Sequence, residues 1–147
     1  VDSASVEVDG LTCSPAVSMS ATADGDTITA GGPGTSVPFS FPVGDGVISV
    51  TIINVTLSAT AISEAGGNVV TLDGMLGGAI LASDLKTALE GLPEDALGGA
   101  VTPEQAAGLI DLLTDIDTDG DGVPDAVSLA LTMSAIDATI VGVKESE

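Results

Sequence analysis

The 147 residues carry 22 acidic side chains against two basic ones, and they include no histidine. The resulting formal charge of −20 excludes nucleic acids and anionic membranes as electrostatic partners. Hydrophobic residues make up 44% of the chain, too many for a disordered acidic tail, so we expect one folded domain over residues 1–147. No apolar run approaches the roughly 18 residues that span a bilayer, and we expect no membrane insertion.

The first part of the chain predicts short strands joined by tight turns. Apolar residues alternate with polar or small ones, the period expected of half-buried strands. Prolines at positions 38 and 42 fall between the apolar positions of one segment, and because proline cannot donate to a ladder, this segment is predicted to be an edge strand. The predicted strands lie around Val6 and Val8 and at 17–23, 27–30 and 37–43.

Two longer β segments follow, at 47–62 and 69–81, with a predicted turn at 64–68 between them. In the first, the apolar phase slips at Ile52 and Ile53, which predicts a β-bulge or a strand that crosses between sheets. A last strand is predicted from Val127 to Val141, because apolar residues again alternate with small or polar ones.

Between these strands the pattern changes to that of helices, over residues 83–116. Ser83 is the predicted N-cap of a first helix that runs to about Leu92 and stops at Pro93. Thr102, followed by proline and glutamate, begins a second helix with an apolar face of helical period. The predicted fold is therefore mainly β: an antiparallel β-sandwich or open barrel of about six or seven strands, with a two-helix insertion before the last one.

The stretch Asp117-Thr118-Asp119-Gly120-Asp121-Gly122-Val123-Pro124-Asp125 predicts a calcium loop at 117–125. Alternating carboxylates around a glycine supply many oxygen ligands from one short segment, as Ca²⁺ requires. The predicted ligands are the carboxylates of Asp117, Asp119, Asp121 and Asp125 with the carbonyl of Val123. These nine residues resemble the calcium loop of thrombospondin type 3 repeats, and the resemblance implies a bound Ca²⁺ ion.

The loop also begins like an EF-hand, but its twelfth position is Ser128, where an EF-hand has a bidentate glutamate. The one or two further oxygens that the site needs must come from Asp115, Asp111, a more distant acid or water. Six acids lie between residues 111 and 125, and their mutual repulsion is a second reason to expect a cation. We expect a structural ion that sets the angle between the second helix and the last strand.

Three other positions are candidate sites. Val6 and Val8, in an amino-terminal segment that we predict can add as a strand to a neighbour's sheet, are candidate intermolecular contacts. Cys13, the single cysteine, is either an ordinary thiol or an intermolecular bridge. Asn54-Val55-Thr56 matches the acceptor pattern for N-glycosylation.

The composition argues against catalysis, because the chain offers neither histidine for proton transfer nor arginine to hold an oxyanion. The calcium loop, together with a chain that begins at Val1, favours a secreted protein whose leader has been removed. The favoured function is a non-enzymatic, cell-surface or extracellular structural protein that associates with itself into a filament or layer. The alternative is a monomeric β-barrel or sandwich that binds a lipid, a glycan or a protein.

Overall fold

A computed structural model describes residues 6–9, 12–15, 17–63 and 69–136 of the chain. The fold of these residues is mainly β: six antiparallel strands form one open sheet, and two more form a separate hairpin. The two helices lie between the last two strands in the sequence. The predicted class, antiparallel β with a helical insertion before the last strand, is confirmed.

The elements are numbered in chain order. The strands are β1 (Val6–Asp9), β2 (Thr12–Pro15), β3 (Ala21–Asp24), β4 (Thr27–Gly31), β5 (Ser36–Val43), β6 (Gly46–Ser63), β7 (Val69–Leu81) and β8 (Ala126–Ile136). The helices are α1 (Ala82–Glu90) and α2 (Pro103–Leu109), and a 3₁₀ turn (Ile110–Leu112) follows α2.

The sheet has the strand order β3-β4-β6-β7-β8, and the long strand β6 is its centre. One side of β6 pairs with β5 over its first half and with β4 over its second half. Its other side pairs with β7, which in turn pairs with β8. Among the described strands β5 pairs with β6 alone, so the edge position predicted from Pro38 and Pro42 is confirmed.

The predicted irregularity in β6 is a β-bulge. The register with β7 shifts between Ile53 and Thr56, and Asn54 between them has a φ of 52°. Asparagine is one of the few residues besides glycine that adopts this backbone region readily. The extra residue changes the phase of the strand, so that even-numbered residues before the bulge and odd-numbered residues after it face the same core: Ile48, Val50, Ile52, Val55 and Ala59.

The hydrophobic core lies between the helices and one face of the sheet. Ile52 and Val55 at its centre are fully buried, and the apolar sides of α1 and of the 3₁₀ turn pack over them through Leu89 and Ile110. Aliphatic side chains make this core because the chain contains only two aromatic residues. Phe39 and Phe41 pack at its margin, with ring centroids 5.7 Å apart.

The start of the first helix differs from the prediction. Leu81 occupies the N-cap position and makes no side-chain cap, while Ser83 lies inside α1 and its hydroxyl contacts Asp84 instead. The N–H of Ala82 donates to the carbonyl of Asp125 at 2.9 Å. A backbone group distant in sequence thus takes the place of the predicted serine cap, and the helix also ends two residues early, at Glu90.

The second helix begins as predicted. The Thr102 hydroxyl accepts from the N–H of Gln105 at 3.3 Å, and the Gln105 side chain accepts from the N–H of Thr102 at 3.0 Å. This reciprocal capping box, with Pro103 at the first helical position, satisfies two donors that would otherwise lack partners.

Other boundaries are also revised by the structure. The strand predicted at 17–23 starts only at Ala21, because residues 17–20 have no ladder and the Ser20 carbonyl instead accepts from the N–H of Gly31. The turn predicted at 64–68 and the end of the last strand beyond Ile136 lie outside the described residues.

Candidate metal site

The acidic loop spans the gap between the 3₁₀ turn and β8, and it starts and ends at nearly the same point. Ile116 pairs with Ala126 in an isolated antiparallel bridge. The carbonyl of Ile116 accepts from the N–H of Asp125 at 2.9 Å and from the N–H of Ala126 at 3.0 Å. Residues 117–125 therefore form a closed loop beside the first residue of β8.

Three carboxylates converge within this loop. One oxygen each from Asp117, Asp119 and Asp121 lies within 4.8 Å of the others, and all three residues are exposed. Oxygen ligands lie about 2.3–2.6 Å from a bound Ca²⁺, so two oxygens of one coordination shell are at most about 5 Å apart. The three aspartates are close enough to hold a metal ion.

Hydrogen bonds from the main chain give the loop its shape. The carboxylate of Asp117 accepts from the N–H of Gly120 at 2.7 Å and from the N–H of Gly122 at 2.8 Å. Both glycines have a positive φ, 80° and 90°, a backbone conformation that residues other than glycine rarely adopt. The N–H groups of Gly122 and Gly120 lower the pKa of Asp117 below its usual value. The carboxylate is therefore ionised at neutral pH.

Two further carboxylates bind their neighbours in the loop. Asp119 accepts from the N–H of Asp121 at 3.1 Å, and Asp121 accepts from the N–H of Val123 at 2.8 Å. This repeated bond between a carboxylate and the N–H two residues later explains why the aspartates alternate with other residues. The Val123 carbonyl remains a predicted ligand.

Asp125 closes the loop from its far end. One of its oxygens accepts from the N–H of Thr118 at 2.8 Å and the other from the Thr118 hydroxyl at 2.7 Å. Both bonds lower the pKa of Asp125, and the bond from the Thr118 hydroxyl has the larger effect. The carboxylates close enough together to hold a metal ion are those of Asp117, Asp119 and Asp121, and ligation by Asp125 stays a prediction.

Asp115, the other candidate ligand, is bound to β8. Its carboxylate accepts from the N–H of Ser128 at 2.8 Å and from the Ser128 hydroxyl at 2.6 Å, and both bonds lower its pKa. The orienting roles of Thr118 and Ser128 were missed by sequence reasoning. The only signal in the sequence was a hydroxyl residue placed seven or thirteen positions from an acid, which is too common to be informative.

An ion pair lies at the start of the acidic segment. Lys86 of α1 contacts the carboxylate of Asp111 in the 3₁₀ turn, and this pair joins the two parts of the helical insertion. One of the six acids between 111 and 125 is thereby compensated. The remaining five carry no basic partner among the described residues.

The other predicted sites lie elsewhere. The register of the β1–β2 hairpin places Val8 opposite Cys13, and Val6 opposite Pro15. Asn54 is exposed at the bulge of β6, where its side-chain oxygen accepts from the N–H of Gly34 at 2.9 Å. Intermolecular contact at Val6, Val8 and Cys13 and glycosylation at Asn54 stay predictions.

Comparisons with known proteins found no relative. No protein-family model matches this chain, and neither the curated proteins nor the solved structures include a significant match. Within the described ranges, neither helix has the length and unbroken apolar sequence that a membrane-crossing helix requires.

Proposed function

We propose that this protein is a non-enzymatic structural protein of the cell surface or extracellular space, stabilised by Ca²⁺ and assembled from copies of itself into a filament or layer. The observation that carries the proposal is the convergence of the Asp117, Asp119 and Asp121 carboxylates to within 4.8 Å. The cluster lies where the helical insertion returns to the sheet, beside the Ile116–Ala126 bridge. A cation at this point would hold the insertion against the sheet.

The donor set favours calcium among the metals. All three converging ligands are carboxylates, and the chain has no histidine and no cysteine in this loop. Oxygen-only sets suit Ca²⁺, Mg²⁺ and Mn²⁺ rather than Zn²⁺ or Cu²⁺. Ca²⁺ tolerates an irregular, partly hydrated shell, whereas Mg²⁺ demands near-ideal octahedral geometry. We expect a dissociation constant of about 10⁻⁵ to 10⁻³ M, typical of extracellular calcium modules.

The ionisation of the loop supports a structural ion over acid–base catalysis. Hydrogen bonds lower the pKa values of Asp115, Asp117 and Asp125, so these carboxylates hold no proton near pH 7. A general acid needs the opposite shift, towards the working pH. Permanently charged carboxylates are suited to bind a cation.

The β1–β2 hairpin supports self-association. It forms a two-stranded sheet of its own, which the described ladders do not connect to the six-stranded sheet. An isolated two-stranded hairpin is marginally stable in water, so its strands gain from pairing with a further strand. The segment Val1–Val8 is the proposed donor strand, which adds to the sheet edge of a neighbouring copy.

The test compares the full chain with a variant that lacks residues 1–8, each with Ca²⁺ and with EGTA. We expect filaments or layers of the full chain by negative-stain microscopy, and a folded, Ca²⁺-binding but unassembled variant by sedimentation. A Cys13→Ser control separates strand addition from a disulfide contribution. A full chain that stays monomeric at high concentration with Ca²⁺ contradicts the proposed self-association.

A binding module is the second candidate function, and one pocket favours it. A pocket of about 400 Å³ lies between the β5–β6 pair and α1, with Phe39, Asp84 and Thr87 among its lining residues. Its volume falls within the range of small-molecule sites, about 300–1,000 Å³. Native mass spectrometry that detects a retained lipid or glycan on a monomeric protein would select this candidate instead.

A further inference from the structure

We propose that the exposed side chains of Leu109, Leu112 and Leu113, here called the leucine patch, bind a basic amphipathic helix of another protein. The contact depends neither on self-association nor on a bound ion. Three features of the molecule support it: an apolar surface that the fold leaves uncovered, ionised acids that border this surface, and the near absence of basic side chains to compensate them.

The end of the helical insertion leaves apolar side chains in solvent. The apolar face predicted for the second helix continues through Leu109, Leu112 and Leu113. In the structure only Ile110 of this stretch reaches the core, with 6% of its surface exposed. The three leucines are exposed by 53%, 80% and 57% in that order. Adjacent exposed apolar residues, unlike single ones, mark a surface of interaction.

The backbone places the three leucines on one side. α2 runs to Leu109, the 3₁₀ turn covers Ile110–Leu112, and Leu113 keeps a helical conformation with φ of −103° and ψ of −8°. Residues three and four positions apart on such a backbone are neighbours, so Leu112 and Leu113 both lie next to Leu109. The Cβ position of Gly108 meets no atom within 4 Å, so this end of the patch is open.

Met75 shows what a solitary exposed apolar residue looks like in the same molecule. It is 52% exposed, and its partners on the neighbouring strands are Ser58 and Thr132, both hydroxyl residues. Ser58 is exposed, on the face of β6 opposite to the buried Ala59, so Met75 lies on the face of the sheet that does not carry the helices. Met75 is therefore a suitable control for the leucine patch.

Ionised acids border the leucine patch. Glu104 lies in the first turn of α2, and Asp115 follows Leu113 by two residues. Hydrogen bonds from its own N–H and from Thr102 lower the pKa of Glu104, and bonds from Ser128 lower the pKa of Asp115. Both carboxylates are therefore charged at neutral pH. The exposed acids of the 117–125 loop continue this border.

Little positive charge compensates these acids. The whole chain has two basic residues, and one of them, Lys86, already pairs with Asp111. A surface with apolar residues at its centre and negative charge around it is complementary to a helix that carries lysine or arginine beside its apolar residues. Amphipathic helices present their apolar residues at i, i+3 and i+4, the spacing of the leucine patch itself.

The same charges disfavour other occupants of the patch. A second copy would bring its own acids against those of the first, because a two-fold contact uses the same surface on both subunits. An anionic membrane is repelled for the same reason. Three leucines form a small surface, so the contact belongs to the weak and transient class.

Binding of a designed peptide tests the patch, in EGTA so that the proposed metal ion takes no part. The probe is a fluorescently labelled peptide of leucine and lysine with leucines at helical spacing. One control peptide has the same composition with alternating leucines, and another has glutamate in place of lysine. We expect only the basic helical peptide to raise the anisotropy, less so with added salt, and to shift amide resonances around residues 104–121. Absence of binding, or equal binding of the alternating peptide, overturns the assignment.

Matched substitutions separate the patch from the net charge. Leu112→Ser removes the most exposed of the three leucines without a change of charge, and it should weaken peptide binding about tenfold. Met75→Ser removes a comparably exposed apolar side chain and should bind like the wild type. Glu104→Gln removes one border charge and should slow association and reduce its dependence on salt. Melting temperatures check that each variant is folded.

Each remaining outcome overturns the contact. Equal affinity of the wild type and Leu112→Ser means that net charge alone holds the peptide. Binding to zwitterionic vesicles that Leu112→Ser abolishes identifies a lipid surface as the occupant instead. Dissociation of a wild-type dimer by Leu112→Ser identifies a second copy. None of these substitutions touches the donor strand or the converging aspartates, so the proposed function stands or falls by its own test.

Discussion

Replacement of Asp119 by alanine is the sharpest test of the metal site. The Asp119 carboxylate belongs to the converging triad, and among the described residues it accepts one hydrogen bond, from the N–H of Asp121 at 3.1 Å. Asp117, in contrast, accepts two shorter bonds that shape the loop. Asp119→Ala should therefore remove a metal ligand and leave the metal-free loop nearly unchanged.

The size of the effect follows from linkage between binding and folding. With a dissociation constant of about 10⁻⁴ M and about 10 mM free Ca²⁺, the bound ion stabilises the folded state by about 2.7 kcal/mol. For a domain of this length, each kcal/mol raises the melting temperature by about 2–4 °C, so Ca²⁺ should raise it by about 8 °C. Asp119→Ala should abolish this rise.

The assay is thermal unfolding of the wild type and the variant, each with Ca²⁺ and with EGTA, together with calorimetric titration of Ca²⁺. Asp45→Ala is the matched control, because it removes an equally exposed acid from the β5–β6 turn, far from the loop in sequence. In EGTA the melting temperatures of the variant and the wild type should agree closely. One-site Ca²⁺ binding that survives in Asp119→Ala would refute the assigned site.

Two further predictions concern stability. In EGTA the lowered pKa values of Asp117 and Asp125 should make stability constant above the unfolded value of about 4 and smaller as the pH falls through their folded values, and an unchanged melting temperature down to pH of about 2 would contradict this linkage. Gly31→Ala should destabilise the fold by about 1–3 kcal/mol in denaturant unfolding, since Gly31 has a φ of 80° and a Cβ there would collide with the Val55 carbonyl. Gly108→Ala, in a helix and with open space around its Cβ, should be neutral or stabilising, and equal effects of the two substitutions would disprove the steric argument.

The sequence was sufficient where the deciding interactions are local. Alternation and the two prolines identified β5 as an edge strand, and the phase slip located the bulge beside Asn54. Thr102 was recognisable as a cap because its partner, Gln105, is three residues away. Each of these features is determined by neighbours within a few positions.

The sequence was insufficient where the partner is distant. Serine is a preferred N-cap residue, which is why Ser83 was predicted as the cap. In the structure the backbone carbonyl of Asp125 instead accepts a hydrogen bond from the N–H at the start of α1. The acidic loop was located correctly, yet the bond between Asp115 and Ser128 depends on how the loop returns to β8. Such contacts depend on the tertiary fold, and no local sequence pattern predicts them.

The bond between Ala82 and Asp125 has a consequence for how the molecule opens. Leu81 and Ala126 are paired at the end of the β7–β8 ladder, so residues 82–125 leave the sheet and return to it at one narrow neck. The neck is bounded on one side by that bond and on the other by the acidic loop. A loss of the ion would weaken the neck first, and the helices could then separate as one cooperative unit while the β7–β8 ladder stays intact. Under the metal binding proposed here, a protease would meet a cleavable helical segment mainly when the ion is absent, so the ion concentration would set the rate of proteolysis.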